Sequence, residues 1–247
     1  MAVRRLVEAE LARRGMASAV DLRSGRLIVA APDGNTLMIS LQNLERIYAS
    51  QRDPAAITAY VDALLTPAAP MSADGLAWLL EPNSYEPEPP VRQPVTPRLD
   101  RVLAHVAPDG SQLTWVGNRD VESLGMDVAA ASDRAYANLD RELRRAEAFI
   151  DDRTGVPVMM LETAFPAKAS LLLAPALRQI AAPRIGWPVL AIAPDRDFVL
   201  LWNADFQDFV QRVSAVVARE HRQAPYPLSL EVFHLDEDVR ALGEFTA

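Results

Sequence analysis

Three histidines, His105, His221 and His234, are the side chains best suited to move protons near neutral pH. None stands in a spaced metal motif such as His-Glu-x-x-His. His105 and His234 each end a predicted strand, and two strand ends can meet over a zinc ion or as an acid–base pair. His221 falls just past a helix, where a positive charge complements the dipole. Carboxylates gather at Asp195 and Asp197 and again at Asp236-Glu237-Asp238. Paired acids of this kind can hold Mg²⁺ or divide acid and base roles. In Pro-Asp-Arg-Asp (194–197), however, aspartate also suits turn hydrogen bonding, and Arg196 neutralises both acids locally. Asp151-Asp152-Arg153 ahead of Gly155 reads the same way, and the Asp236 cluster reads as a solvated terminal segment. Together these groups define an alternative reading, a hydrolase or metal-dependent enzyme using His105, His234 and Asp195 or Asp197.

The familiar catalytic patterns are missing from the sequence. There is no cysteine, hence no thiolate nucleophile and no disulfide. The ten glycines are scattered, with no Gly-Lys-Ser/Thr phosphate loop and no Gly-x-Ser-x-Gly elbow. Ser170 has no obvious histidine partner, and Trp115, Trp187 and Trp202 lie in or beside strands as core residues. The leading expectation is therefore a non-enzymatic protein-binding or adaptor module, with no catalytic residue, no metal and no cofactor. Asp195, Arg196, Asp197 and Tyr226 are its candidate binding positions, because exposed charge beside an aromatic anchor suits recognition.

The chain has 247 residues, half of them apolar and 23% charged, enough to bury a core. Its net charge of −8 opposes broad nucleic-acid binding. Two glutamates within the first ten residues argue against a signal peptide. The longest apolar run, Trp187 to Ile192, is strand-sized and broken by Pro188, so no membrane span is expected. A cytoplasmic location and another protein as partner follow as expectations; the oligomeric state is left open.

Three regions must position these residues. In 1–66, Val3, Leu6, Val7 and Leu11 recur at helical spacing and Gly15 is placed to cap the helix. Three short strands follow (19–22, 26–30, 36–39), with turns at Ser24-Gly25 and Asp33-Gly34. Ser40 then caps a short helix, and Asp53-Pro54 opens another carrying Ile57, Val61 and Leu65. Region 67–97 holds eight of the nineteen prolines and reads as a linker, interrupted by a helical island over 73–80. In 98–247 the pattern predicts a hairpin (99–105 with 113–116), a short helical turn near Asn118 and a long helix capped by Asp127. Strands 147–151 and 156–161 and a helix over 170–180 with Pro175 near its start follow. A hairpin (189–193 with 198–202), a helix capped by Asn203 carrying Phe206, Phe209, Val213 and Val217, and a last strand (228–235) complete the region.

Val-Leu-Ala-Ile-Ala-Pro-Asp-Arg-Asp-Phe-Val-Leu-Leu-Trp (189–202), Ala-Pro-Tyr-Pro-Leu-Ser (224–229), Tyr-Ala-Asn-Leu (136–139) and Ser-Leu-Gln-Asn-Leu (40–44) resemble the YtpQ-like family of bacterial proteins. That resemblance covers most of the chain outside the proline-rich stretch, which is itself a departure from the pattern. The family has no assigned activity, so the resemblance implies an intracellular bacterial α+β protein and no catalytic residues. The expected fold class is α+β: two small units of antiparallel meanders and packed helices on a proline-rich linker.

Overall fold

In the computed structural model, residues 2–21, 26–30, 36–39, 41, 44–45, 48–49, 52–66, 70–84, 91–110 and 112–245 are described. The expected turns at Ser24-Gly25 and Asp33-Gly34, the Ser40 cap and the 85–90 prolines lie outside them. The fold is α+β, and the chain divides into two units, Met1–Ala68 and Ala69–Ala247.

In the first unit, helix α1 (Ala2–Arg13) buries Val3, Val7 and Leu11, the four-residue spacing of one helical face. Gly15, at φ 75°, ends it: Gly15 N–H donates to Ala12 O and Met16 N–H to Leu11 O. This is the Schellman arrangement, in which glycine accepts the left-handed backbone without penalty. Strands β1 (Ser18–Val20), β2 (Leu27–Ala30) and β3 (Thr36–Ile39) form an antiparallel meander in that order. Helix α2 (Pro54–Leu65) starts where Asp53 Oδ1 accepts from Ala55 N–H at 2.8 Å, and it adds Ile57 and Val61 to the core.

The second unit corrects the linker reading. Only Ala73–Gly75 is helical in the expected island, as one 3₁₀ turn; Leu76–Pro82 is strand β4, with all but its last residue buried. An apolar run such as Leu-Ala-Trp-Leu-Leu fits a buried helix or a strand covered on both faces. Here it pairs along its length with β6 (Leu99–Val106), and β5 (Arg92–Pro94) and β7 (Leu113–Trp115) line the other side of β6. Residues 70–84 and 91–97 thus belong to the second unit. Prolines 82 and 94 end their strands, where no further ladder hydrogen bond is asked of them.

A second antiparallel sheet has the order β13-β12-β10-β11-β9-β8. Its strands are β8 (Glu147–Asp151), β9 (Val158–Glu162), β10 (Val189–Asp195), β11 (Phe198–Asn203), β12 (Glu231–Leu235) and β13 (Val239–Glu244). Strand β10 alternates sides: Val189, Ala191 and Ala193 join the main core, whereas Leu190 and Ile192 join a second core. After a short helix, α3 (Asn118–Ser123), helix α4 (Val128–Arg145) is capped by Asp127, as expected, and gives Ala131, Ala135, Leu139 and Leu143 to the main core.

Three further expectations need correction. The helix over 170–180 is two pieces, a 3₁₀ segment Lys168–Leu173 and α5 (Leu177–Ile185), divided at Pro175, whose ring disfavours helical backbone in the residue before it: Ala174 is extended, at φ −69° and ψ 123°. Helix α6 (Phe209–Gln223) starts after Asp208, not Asn203; Asn203 Oδ1 accepts from Asp205 N–H in a turn, and Phe206 stays outside, exposed. Phe209, Val213 and Val217 do cover the second core, with Phe209 edge-on to Trp202 at 5.4 Å. Finally, Asp236-Glu237-Asp238 is a hairpin turn, with Asp236 Oδ1 accepting from both following amides, and β13 pairs back on β12.

Trp78 in β4 is fully buried and makes a ring contact with Tyr136 of α4. Trp78→Ala is expected to destabilise the second unit by about 3–5 kcal/mol in denaturant unfolding. A linker residue would leave the midpoint unchanged.

Candidate functional site

The four expected binding residues do meet, but in a seam between the two sheets of the second unit rather than on an open surface. Asp195 is buried at the end of β10; its Oδ1 accepts from Asp197 N–H at 2.8 Å and its Oδ2 from Tyr226 N–H at 3.3 Å. Arg196 N–H donates to Tyr226 O, and the Arg196 guanidinium lies 4.7 Å from the Tyr226 ring centroid. The same guanidinium reaches Glu81 of β4 at 2.6 Å, with the side chains 13% and 4% exposed. Ala169 N–H closes the seam by donating to Arg196 O. The reading of an exposed recognition tip is therefore corrected for Asp195 and Arg196. Asp197 alone is open, and desolvation of its carboxyl, then the charge of Asp195, pushes its pKa up against Arg196 and Lys168.

Burial also pushes Glu81 above the usual carboxylate range, while the charge and hydrogen bond of Arg196 pull it back. Ser170, with no role in sequence reasoning, is fully buried and accepts from Leu80 N–H at 2.9 Å, fastening β4 to the 3₁₀ segment.

The histidines do not converge. His105 is buried in β6 of the four-stranded sheet, opposite Leu76, and its Nε2 has no hydrogen-bond partner. Gly75 is what admits the ring, since a Cβ there would stand 2.4 Å from Nε2. His234 lies in β12 of the other sheet, its Nδ1 3.2 Å from the Arg240 guanidinium and 3.5 Å from Asp236 Oδ2. Among the described residues no group of three or more His, Asp or Glu side chains is placed to hold a metal ion. The joint site of His105, His234 and Asp195 or Asp197 is not assembled.

Concavities among the described residues include two in the second unit. One, of about 700 Å³, lies between the 3₁₀ turn at Ala73–Gly75, the 106–110 turn and α4. Its polar groups already hold the fold: Asn138 Nδ2 donates to Ala73 O and Leu76 O, and Arg141 donates to Asn138 Oδ1 and Asp74 O. In the other, of about 540 Å³, Arg101 bonds Gln93 and Tyr136 and lies over the rings of Trp78 and Tyr136.

Among the described residues β13 and β8 are the edge strands of the six-stranded sheet; β13 exposes one large apolar side chain, Leu242, whereas β8 exposes two in succession. Phe149 and Ile150 are 48% and 43% exposed, and Met160, directly opposite Phe149 on β9, is 36% exposed. An edge strand presents unpaired backbone groups, and natural edges are usually blunted by charge or cover. Here successive apolar residues project from both faces of the edge. Sequence reasoning placed this strand correctly and missed its exposure. The one available signal was Phe-Ile flanked by acids in Glu-Ala-Phe-Ile-Asp, which reads equally well as a central strand until the sheet order is known.

No protein-family model, no curated protein and no solved structure matches this chain.

Two outcomes test the seam and the buried histidine. Arg196→Met leaves the Glu81 carboxylate buried without its cation, a loss expected at about 3–5 kcal/mol, and Glu81→Leu in the same chain should restore much of it. Because the folded-state pKa of Glu81 lies above its unfolded value, the folded state of Arg196→Met binds the extra proton. Its melting temperature should then rise as the pH falls from neutral, measured by differential scanning calorimetry. His105 works in the opposite sense. Burial lowers its pKa, so the unfolded chain takes up a proton below about pH 6.5 that the folded chain refuses. Stability from His105 is present above that pH and is lost on acidification; His105→Leu should flatten this part of the stability profile.

Proposed function

We propose that this chain is a cytoplasmic protein-binding module that engages its partner through the open edge of β8. The observation that carries the reading is the pair Phe149 and Ile150, each nearly half exposed on a strand whose outer side pairs with no strand among the described residues. Apolar side chains at a free strand edge are what β-strand addition uses: main-chain hydrogen bonds supply affinity and alternating side chains supply selectivity. The resemblance to the YtpQ-like family supports the cellular setting, and among the described residues no helix is long and apolar enough to cross a membrane. The hairpin tip around Asp195, Arg196 and Tyr226 has a supporting part, bracing the sheet that carries the edge.

The test compares capture from native lysate by the full chain and by Phe149→Glu. The expected result is a stoichiometric partner that the parent retains and the variant loses at least tenfold, with unchanged circular dichroism and unfolding midpoint. Equal retention by the variant, or no stoichiometric partner for the parent, overturns the reading.

A further inference from the structure

The β8 edge carries information about what it binds. On one face stand Glu147, Phe149 and Asp151; on the other, Ala148 and Ile150. Across the β8–β9 ladder Glu147 is directly opposite Glu162, and like charges so placed repel. Glu162 is relieved by Lys168 at 3.3 Å, whereas Glu147 has no ion pair among the described residues. Asp151 is held by Arg153, an outward side chain that is 85% exposed, at 2.5 Å. The edge therefore reads acid, small, aromatic, aliphatic, acid, with the first acid uncompensated.

We propose that the occupant of this edge is an extended segment of a partner protein in which three apolar residues are flanked by Lys or Arg on each side. This deepens the protein-binding reading and rests on it. Laid beside β8, such a segment sets one base against Glu147 and the other against Asp151. Its central apolar residue meets Phe149, which Met160 backs from β9, and its two neighbours face Ala148 and Ile150. The pattern is the same read in either direction, so parallel and antiparallel addition both satisfy it. A second copy of this chain fits worse: an antiparallel pair centred on Phe149 sets Glu147 against Asp151 at both ends, acid against acid. The net charge of −8 adds to that repulsion and favours a basic partner.

The probe is a dye-labelled heptapeptide, Thr-Lys-Val-Val-Val-Lys-Thr, with its twin carrying Glu for both Lys, titrated against the full chain by fluorescence anisotropy. Amide hydrogen exchange locates the contact. The expected result is at least tenfold tighter binding of the lysine peptide, slowed exchange at 147–151, a weaker preference in high salt, and loss of that preference in Glu147→Lys. Equal binding of both peptides at β8 overturns the charge selection and leaves strand addition standing. If neither peptide protects β8, the inference falls; the broader reading survives that outcome only if Phe149→Glu still releases the native partner. A chain that dimerises through β8, seen by sedimentation and lost in Phe149→Glu, overturns the hetero-partner assignment.

Discussion

The second unit depends on one buried ion pair. Glu81 belongs to β4 of the four-stranded sheet and Arg196 to the hairpin tip of the six-stranded sheet, and their side chains meet where little water reaches either. Removing two charges from water is costly, so such a pair persists only when each is well bonded. Arg196 meets that requirement with a carboxylate, the Tyr226 ring and main-chain bonds to Tyr226 and Ala169. The geometry leaves little freedom in how the sheets meet. Thr96 adds a second tie, donating to the buried Glu231 at 2.6 Å while Ser229 donates to the same carboxylate oxygen. A third, from Leu80 N–H to Ser170, joins β4 to the 3₁₀ segment.

These polar ties account for the positions of many polar and charged side chains in the second unit. Asp127 and Asp120 cap helices, Asp195 and Asp236 close turns, and Asn138 and Arg141 hold the 3₁₀ turn against α4. The six-stranded sheet that these ties fasten is covered on one face by α4 and its neighbours and on the other by α6. Cover thins toward β8, so apolar side chains that would be core in a central strand reach solvent there. A sheet edge that is already formed before binding is suited to strand addition, because little ordering of the host is needed.

Much of the local structure was legible in the chain. Gly15 and the Asp53-Pro54 and Asp127 caps mark helix ends through bonds made within a few residues, and both strands of the 189–202 hairpin follow from two short apolar runs flanking Pro-Asp-Arg-Asp. The β4 strand was not legible, since a run of apolar residues satisfies two-sided burial in either secondary structure and the surrounding prolines pointed to a linker. The Asn203 cap failed for a related reason: its side chain bonds an amide two residues on, which serves a turn as well as a helix start. The residues 195–197 and 226 do meet, but the exposure of Asp195 and Arg196 was misjudged, because the acid that draws Arg196 inward lies 115 positions away in the sequence.

By itself, then, the sequence determined the short-range elements, the α+β class and the absence of a thiol chemistry, all of which depend on composition or on neighbours along the chain. Only the tertiary structure decided that His105 and His234 stay in separate sheets, that Arg196 is spent on Glu81, and that β8 rather than β10 or β11 lies at an edge. Each of these turns on strand order, and strand order is set by contacts between segments far apart in the chain, which no local pattern of residues encodes.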